Sequence, residues 1–366
     1  MKDTNHLTLD QKVGQLFLLG FQGYELDRET RTLLEVIRPG GILLFQRNIE
    51  SFDQIYSLTN QLREISTTPT IMAIDHEGGR VDRLKQIFSP IPSMADLAEA
   101  GMAQLRLGAR IIAAELEATG FNLDFAPVVD LGLPDSILAQ RCLATNSADV
   151  ARFASAFIEE LSKRGIVACA KHFPGLGGAV MDPHFSLPRI DRTKRQIQQE
   201  DAVPFVKLFD QLQMIMVSHA HYPALGDEKT VPASLSTRVL QGFLRKKLGY
   251  KGLTVTDDLT MGATSSLGLT PELFLRAFEA GNDLLLFSQT TPLVYQAFKT
   301  ILKAARSSAT LRNRLDESVE RILGLKGRME FMPLRYRTHL RARITRQIDK
   351  LRKSLEPAKA LEMRTL

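Results

Sequence analysis

The sequence predicts an α/β chain: a single (β/α)8 TIM-type barrel carrying a basic helical extension at its C-terminus. Three observations predict it. Eight short β-rich runs recur along the chain, with helix-patterned stretches between them. Several of these runs are apolar at successive positions rather than alternating, as parallel strands buried on both faces must be. Polar residues gather immediately after the runs, at the strand ends where a barrel presents its site.

The eight runs are Leu16–Phe21, Gly41–Phe45, Thr70–Asp75, Asn122–Ala126, Ile166–Lys171, Met214–His219, Leu253–Asp257 and Asp283–Phe287. Helices are expected between them, for example over Met102–Thr119, Asp149–Arg164 and Thr237–Leu248, and the polar stretch from Pro188 to Val203 reads as a loop running into a helix. A doubly wound dinucleotide fold would need G-x-G-x-x-G after an early strand, and the sequence has none. A length of 366 residues suits one barrel. The expected division is a catalytic barrel over 1–332 and a basic amphipathic tail over 333–366. In that tail Leu340, Ile344, Ile348, Leu351 and Leu355 recur at helical spacing among basic residues. Docking of this helix on the barrel is favoured over contact with a partner, a membrane surface or RNA.

Charge is unevenly placed. The formal net charge is +6, but residues 333–366 hold ten Lys/Arg against three Asp/Glu, so the remainder is close to neutral. A neutral body argues against a nucleic-acid groove. The polar N-terminus and the Gly- and Gln-interrupted first apolar stretch match neither a signal peptide nor a membrane span, so a cytoplasmic protein with no integral membrane segment is expected. Cys142 and Cys169 have no zinc or disulfide spacing and read as free thiols. Trp is absent, so any stacking platform must use other side chains.

The chemistry-bearing residues follow the third to seventh runs. They lie in Asp75–Arg83, in Asp124–Asp130 with Arg141 beyond, in Lys171–His184, in His219–His221 and in Thr256–Asp258; five of the seven histidines fall in these segments. Asp257 ends an apolar strand, where a carboxylate can attack an anomeric carbon. Taken alone it would be a helix cap, but Asp258 can serve as that cap and leave Asp257 free. In Asp182-Pro-His184 a carboxylate two residues from a histidine can hold the imidazole and support general acid and base roles. Asp75, Arg83, Arg141, Lys171 and His172 form a mixed-charge set suited to hydroxyls that both donate and accept. Glu77-Gly-Gly reads as a turn rather than a catalytic element. His219 and His221 could share a metal, but a hydrogen-bonded His219 lining the pocket fits better.

Together these segments resemble glycoside hydrolase family 3, in its single-domain bacterial β-N-acetylglucosaminidases. The resemblance is carried by DHEGGRVDRL at 75–84, FAPVVDL at 125–131, KHFPGLGGAVMDPH at 171–184, PASLS at 232–236, TDDLTM at 256–261 and AGNDLLL at 280–286. It implies that Asp257 is the nucleophile, His184 the acid/base and Asp182 its carboxylate partner, with Asp75, Arg83, Arg141, Lys171 and His172 binding substrate. It implies a terminal β-linked N-acetylglucosamine as substrate, typically on cytoplasmic muropeptides in cell-wall recycling, with no metal or organic cofactor. A monomer is expected. The chain departs from the family pattern at Leu176, Gly178, His76, Pro183 and Cys142-Leu143. Two other functions remain compatible with these residues: phosphorolysis at the same site, and non-catalytic sugar binding.

Overall fold

The computed structural model describes residues 6–65, 68–227, 229–329 and 338–362. Eight parallel strands form one sheet: β1 (Phe17–Leu19), β2 (Gly41–Leu44), β3 (Ile71–Ile74), β4 (Leu123–Asp124), β5 (Val167–Phe173), β6 (Met214–Val217), β7 (Leu253–Thr256) and β8 (Leu285–Phe287). Each pairs with its sequence neighbours, β1 pairs with β8, and a parallel bridge between Val255 and Leu284 joins β7 to β8. The sheet therefore closes on itself with helices outside, the (β/α)8 arrangement expected from the sequence.

All eight strands are buried throughout, which explains their uninterrupted apolar character. Most of the paired segments are shorter than the apolar runs. Asp75 and Asp257 sit one residue beyond the last paired residue of their strands, where the chain turns into the mouth. β5 instead extends through His172 and Phe173.

The connecting helices use ordinary sequence signals. Asn146 accepts from the Asp149 amide at 2.9 Å and starts the Ser147–Ser162 helix. Gly120, at φ 89°, ends the Met102–Thr119 helix in the left-handed conformation that favours glycine. Between strands and helices the core is aromatic: Phe17 stacks on Phe287 with centroids 5.6 Å apart, and Phe274 meets Phe287 edge-on at 4.8 Å.

The expected boundary at 332/333 lies outside the described residues. The Thr338–Glu362 helix packs on the Met102–Thr119 helix, burying Ile344, Ile348 and Leu351, with Leu340 and Leu355 partly buried beside them. Arg341 Nε donates to the Ile87 carbonyl at 2.8 Å. No helix among the described residues is long and apolar enough to cross a membrane. Cys142 and Cys169 are both free and buried.

Candidate active site

The C-terminal ends of β3, β5, β6 and β7, with the loops that follow them, enclose a cleft of about 290 Å³. Its wall contains all eight residues singled out in the sequence: Asp75, Arg83, Arg141, Lys171, His172, Asp182, His184 and Asp257. Glu77, Leu176, Met216 and Met261 complete its deeper surface.

The loop after β3 turns sharply because Gly78 and Gly79 adopt φ of 76° and 57°. A β-carbon on Gly78 would meet the Pro92 carbonyl oxygen at 2.5 Å. The Glu77 amide donates to the Val81 carbonyl at 2.9 Å, and Asp82 accepts from the amides of Leu84 and Ile91. Behind this loop the buried His76 ring meets Glu115 at 2.8 Å, and its amide donates to Asp124 Oδ1.

The turn aims Glu77 into the cleft, which corrects its reading as a turn element only. Arg141 donates to its carboxylate through Nε at 2.8 Å and Nη2 at 2.7 Å, a bidentate pair. Lys171 Nζ lies 2.6 Å from Glu77 Oε1 and 2.6 Å from Asp75 Oδ1. Burial opposes charge on Glu77, but Lys171 and Arg141 outweigh it and hold the carboxyl well below the usual range. Burial likewise opposes charge on Lys171, and Asp75 and Glu77 raise its pKa instead. The four groups form a fixed ionic frame on one wall. Arg83 lines the same cleft, and its buried Nε has no hydrogen-bond partner among the described residues.

His172 is positioned by Asp130, a fully buried residue that the sequence reading did not select. Its carboxylate accepts from His172 Nδ1 at 2.7 Å, from the His172 amide and from the Leu176 amide at 2.6 Å. One carboxylate thus fixes both the imidazole and the start of the following loop.

Asp257 is half-buried at the end of β7, enclosed by protein yet open to the cleft. Its own amide donates to Val217 on β6, and its Oδ1 accepts from the Asp258 amide at 2.8 Å. Burial would raise its pKa, but the neighbouring His219 and His172, the Asp258 amide and Lys171 lower it below the ordinary value. His219 is itself pushed toward its neutral form by desolvation. The Asp258 amide and the Lys171 cation favour the anion whatever the state of the two imidazoles.

Two sequence expectations near Asp257 are corrected. Asp258 is not a helix cap: its Oδ1 accepts from Thr260 N, Thr260 Oγ1 and Ser288 N, closing the loop against β8, and the next helix, Gly262–Ser265, has Met261 at its cap position. His219 is hydrogen-bonded as expected, through Nδ1 to Ser234 Oγ at 2.6 Å and Nε2 to the Asp258 carbonyl at 3.0 Å, but it lies wholly buried behind the cleft wall. His221 is bonded through Nδ1 to the Val231 carbonyl.

On the loop after β5, His184 Nδ1 lies 2.6 Å from Asp182 Oδ1, and the same oxygen accepts from the His184 amide at 2.9 Å. Burial opposes charge on Asp182, while the His184 amide and ring lower its pKa. With Nδ1 held by the carboxylate, Nε2 is left to exchange protons with whatever occupies the cleft. This loop is tied to the segment following Asp257: the Gly262 amide donates to the His184 carbonyl at 3.1 Å, and the Ala263 amide to the Pro183 carbonyl at 3.0 Å. The segments that carry Asp257 and His184 are thereby linked through backbone.

A barrel mouth with an isolated carboxylate, a histidine–carboxylate pair and a wall of alternating fixed charges defines an enzyme site built for a polyhydroxylated substrate. The family model for the glycosyl hydrolase family 3 N terminal domain matches residues 8–325. The beta-hexosaminidase of Idiomarina loihiensis is 33% identical over 304 residues, covering 81% of this chain and 91% of that protein. The beta-hexosaminidase of Tolumonas auensis is 38% identical over 274 residues, covering 74% of this chain and 81% of that protein. Among solved structures, the glycoside hydrolase family 3 beta-N-acetylglucosaminidase from Paenibacillus sp. is similar with a TM-score of 0.85 at 32% identity, covering 94% of this chain and 68% of that one. The chain belongs to glycosyl hydrolase family 3 and is a glycoside hydrolase.

Proposed function

We propose that the protein is a retaining β-N-acetylglucosaminidase that removes terminal β-linked N-acetylglucosamine, with cytoplasmic muropeptides as its natural substrates. The observation that carries this reading is the His184–Asp182 pair facing the same cleft as the anionic Asp257. The beta-hexosaminidase names of the relatives support the sugar assignment. In the first step an Asp257 oxygen attacks the anomeric carbon, and the bond to the glycosidic oxygen breaks. The proton on His184 Nε2 passes to that oxygen and the leaving group departs as an alcohol. In the second step His184 takes a proton from water, the hydroxyl attacks the anomeric carbon, and Asp257 is released. Asp182 orients the imidazole and stabilises its cationic form. Asp75, Arg83, Arg141, Lys171 and His172 bind the sugar, with Glu77 and Asp130 holding the cations and the imidazole in place.

Assay of aryl β-N-acetylglucosaminides with and without phosphate tests this reading. Wild-type protein is expected to release free N-acetylglucosamine in both buffers, and Asp257→Ala to lose at least about 10⁴-fold in kcat. A sugar 1-phosphate product would replace hydrolysis by phosphorolysis. Substantial turnover by Asp257→Ala would remove Asp257 from the nucleophile role.

A further inference from the structure

The loop that carries Asp182 and His184 has a second property. Phe185 is 84% exposed, Val180 68% and Met181 46%, so three large apolar side chains within six residues stand in water around the acid/base pair. Single exposed apolar residues are ordinary, but a cluster of them marks a surface that something covers. The backbone beneath them is held: the amides of Phe185 and Ser186 donate to the Asp182 carbonyl, and Gly262 and Ala263 donate to the carbonyls of His184 and Pro183.

We propose that Phe185, with Val180 and Met181, forms the subsite for the leaving group, and that its occupant is the apolar C–H face of a second sugar ring. The proposal rests on the reading of His184 as the proton donor. A donor must come within hydrogen-bond reach of the glycosidic oxygen, and the leaving ring begins one bond beyond that oxygen. The leaving ring therefore lies beside His184, over the loop residues that flank it. The cleft, at about 290 Å³, is at the small end of ligand sites and suits one sugar unit, so a second unit sits at the rim. The chain has no Trp to offer a stacking surface, and Phe185, next in sequence to His184 and outside the cleft lining, is the exposed aromatic ring of this loop. The donor and the platform share one short loop, so the group that is protonated is also the group that is held.

The test is the ratio of kcat/KM for a β-1,4-linked N-acetylglucosamine disaccharide to kcat/KM for methyl β-N-acetylglucosaminide, which has no second ring. Phe185→Ser is expected to lower this ratio about ten-fold, and Phe185→Tyr to restore most of it. A ratio unchanged in Phe185→Ser, or an equal fall for both substrates, would overturn the subsite while leaving the glycosidase reading intact. Wild-type protein that cleaves neither substrate would overturn both.

Discussion

Gly262 sits where a β-carbon would meet the carbonyl oxygen of His184 at 2.5 Å and the backbone of Phe185 at 2.6 Å. Those are main-chain atoms, so the loop that carries His184 would itself have to move. Gly262→Ala is expected to lower kcat/KM by about 10–100-fold, because small misplacements of a catalytic group are costly, while the thermal midpoint stays near that of wild type. Unchanged kcat/KM would show that the seat of the loop on this segment does not set the chemistry. At this scale the sequence shows Asp257 at a strand end and Asp182 two residues from His184, and the structure brings all three to one cleft. The sequence was not readable where a residue acts through a distant partner. Glu77 is flanked by two glycines that announce a turn, and nothing local says that Arg141 and Lys171 converge on it. Asp130 lies in a conspicuous segment, but its role depends on meeting His172 across the β4–β5 boundary.

Among the elements, β7 and the Ala309–Lys326 helix are joined by a charge that reads as a strand residue in the sequence. Asp283, fully buried just before β8, accepts from Arg245 Nη2 at 2.8 Å, Arg321 Nη1 at 3.0 Å, Ser318 Oγ at 2.8 Å and the Thr254 amide at 3.1 Å, and it pairs with Arg314. It ties β7 to the Ala309–Lys326 helix at the end of the barrel opposite the cleft. Burial opposes its charge, but Arg314, Arg245 and Arg321 lower its pKa. The stability it contributes is therefore present above the unfolded carboxylate value and lost as pH falls through the lower folded one. Asp283→Asn leaves three guanidinium groups without their anion and should destabilise by about 3–5 kcal/mol in denaturant unfolding. A loss well under 1 kcal/mol would show that the arginines find other partners. Apolar runs give away the strands because every position is buried, but the ends of those strands are fixed by polar contacts made in the assembled barrel. That is why most paired segments are shorter than the runs.

Across the whole molecule the barrel separates its two ends. The cleft end gathers the acids, imidazoles and cations of the site, and the opposite end is closed by buried polar contacts. One of these is Lys326, whose Nζ donates to Gln15 Oε1 at 2.6 Å and Thr68 Oγ1 at 3.2 Å, both neutral. Desolvation pushes its pKa down to about 7. The unfolded chain then holds this proton more tightly than the folded one, so stability rises with pH from about 7 toward the unfolded lysine value. Lys326→Met should be more stable than wild type at pH 7 by a few kcal/mol, with the gap narrowing toward pH 10. Gln15 Oε1 keeps its Thr68 donor in that variant. A gap that stays constant with pH would mean that the lysine remains charged when folded. The fold was legible at this scale from period and count, and the tail helix from its apolar spacing; which barrel helix it packs on was not, since that depends on the shape of the assembled surface. The proposed bond between Asp257 and the sugar is tested by inactivating the protein with a slow-turnover fluoro-N-acetylglucosaminyl fluoride and locating the label by peptide mass spectrometry. One covalent sugar is expected, on Asp257, and it should be released more slowly when Asp182 is replaced by Ala, because the fluoride leaves without a proton donor whereas attack by water needs the base. A label on another residue, or none in protein that cleaves β-N-acetylglucosaminides, would contradict it.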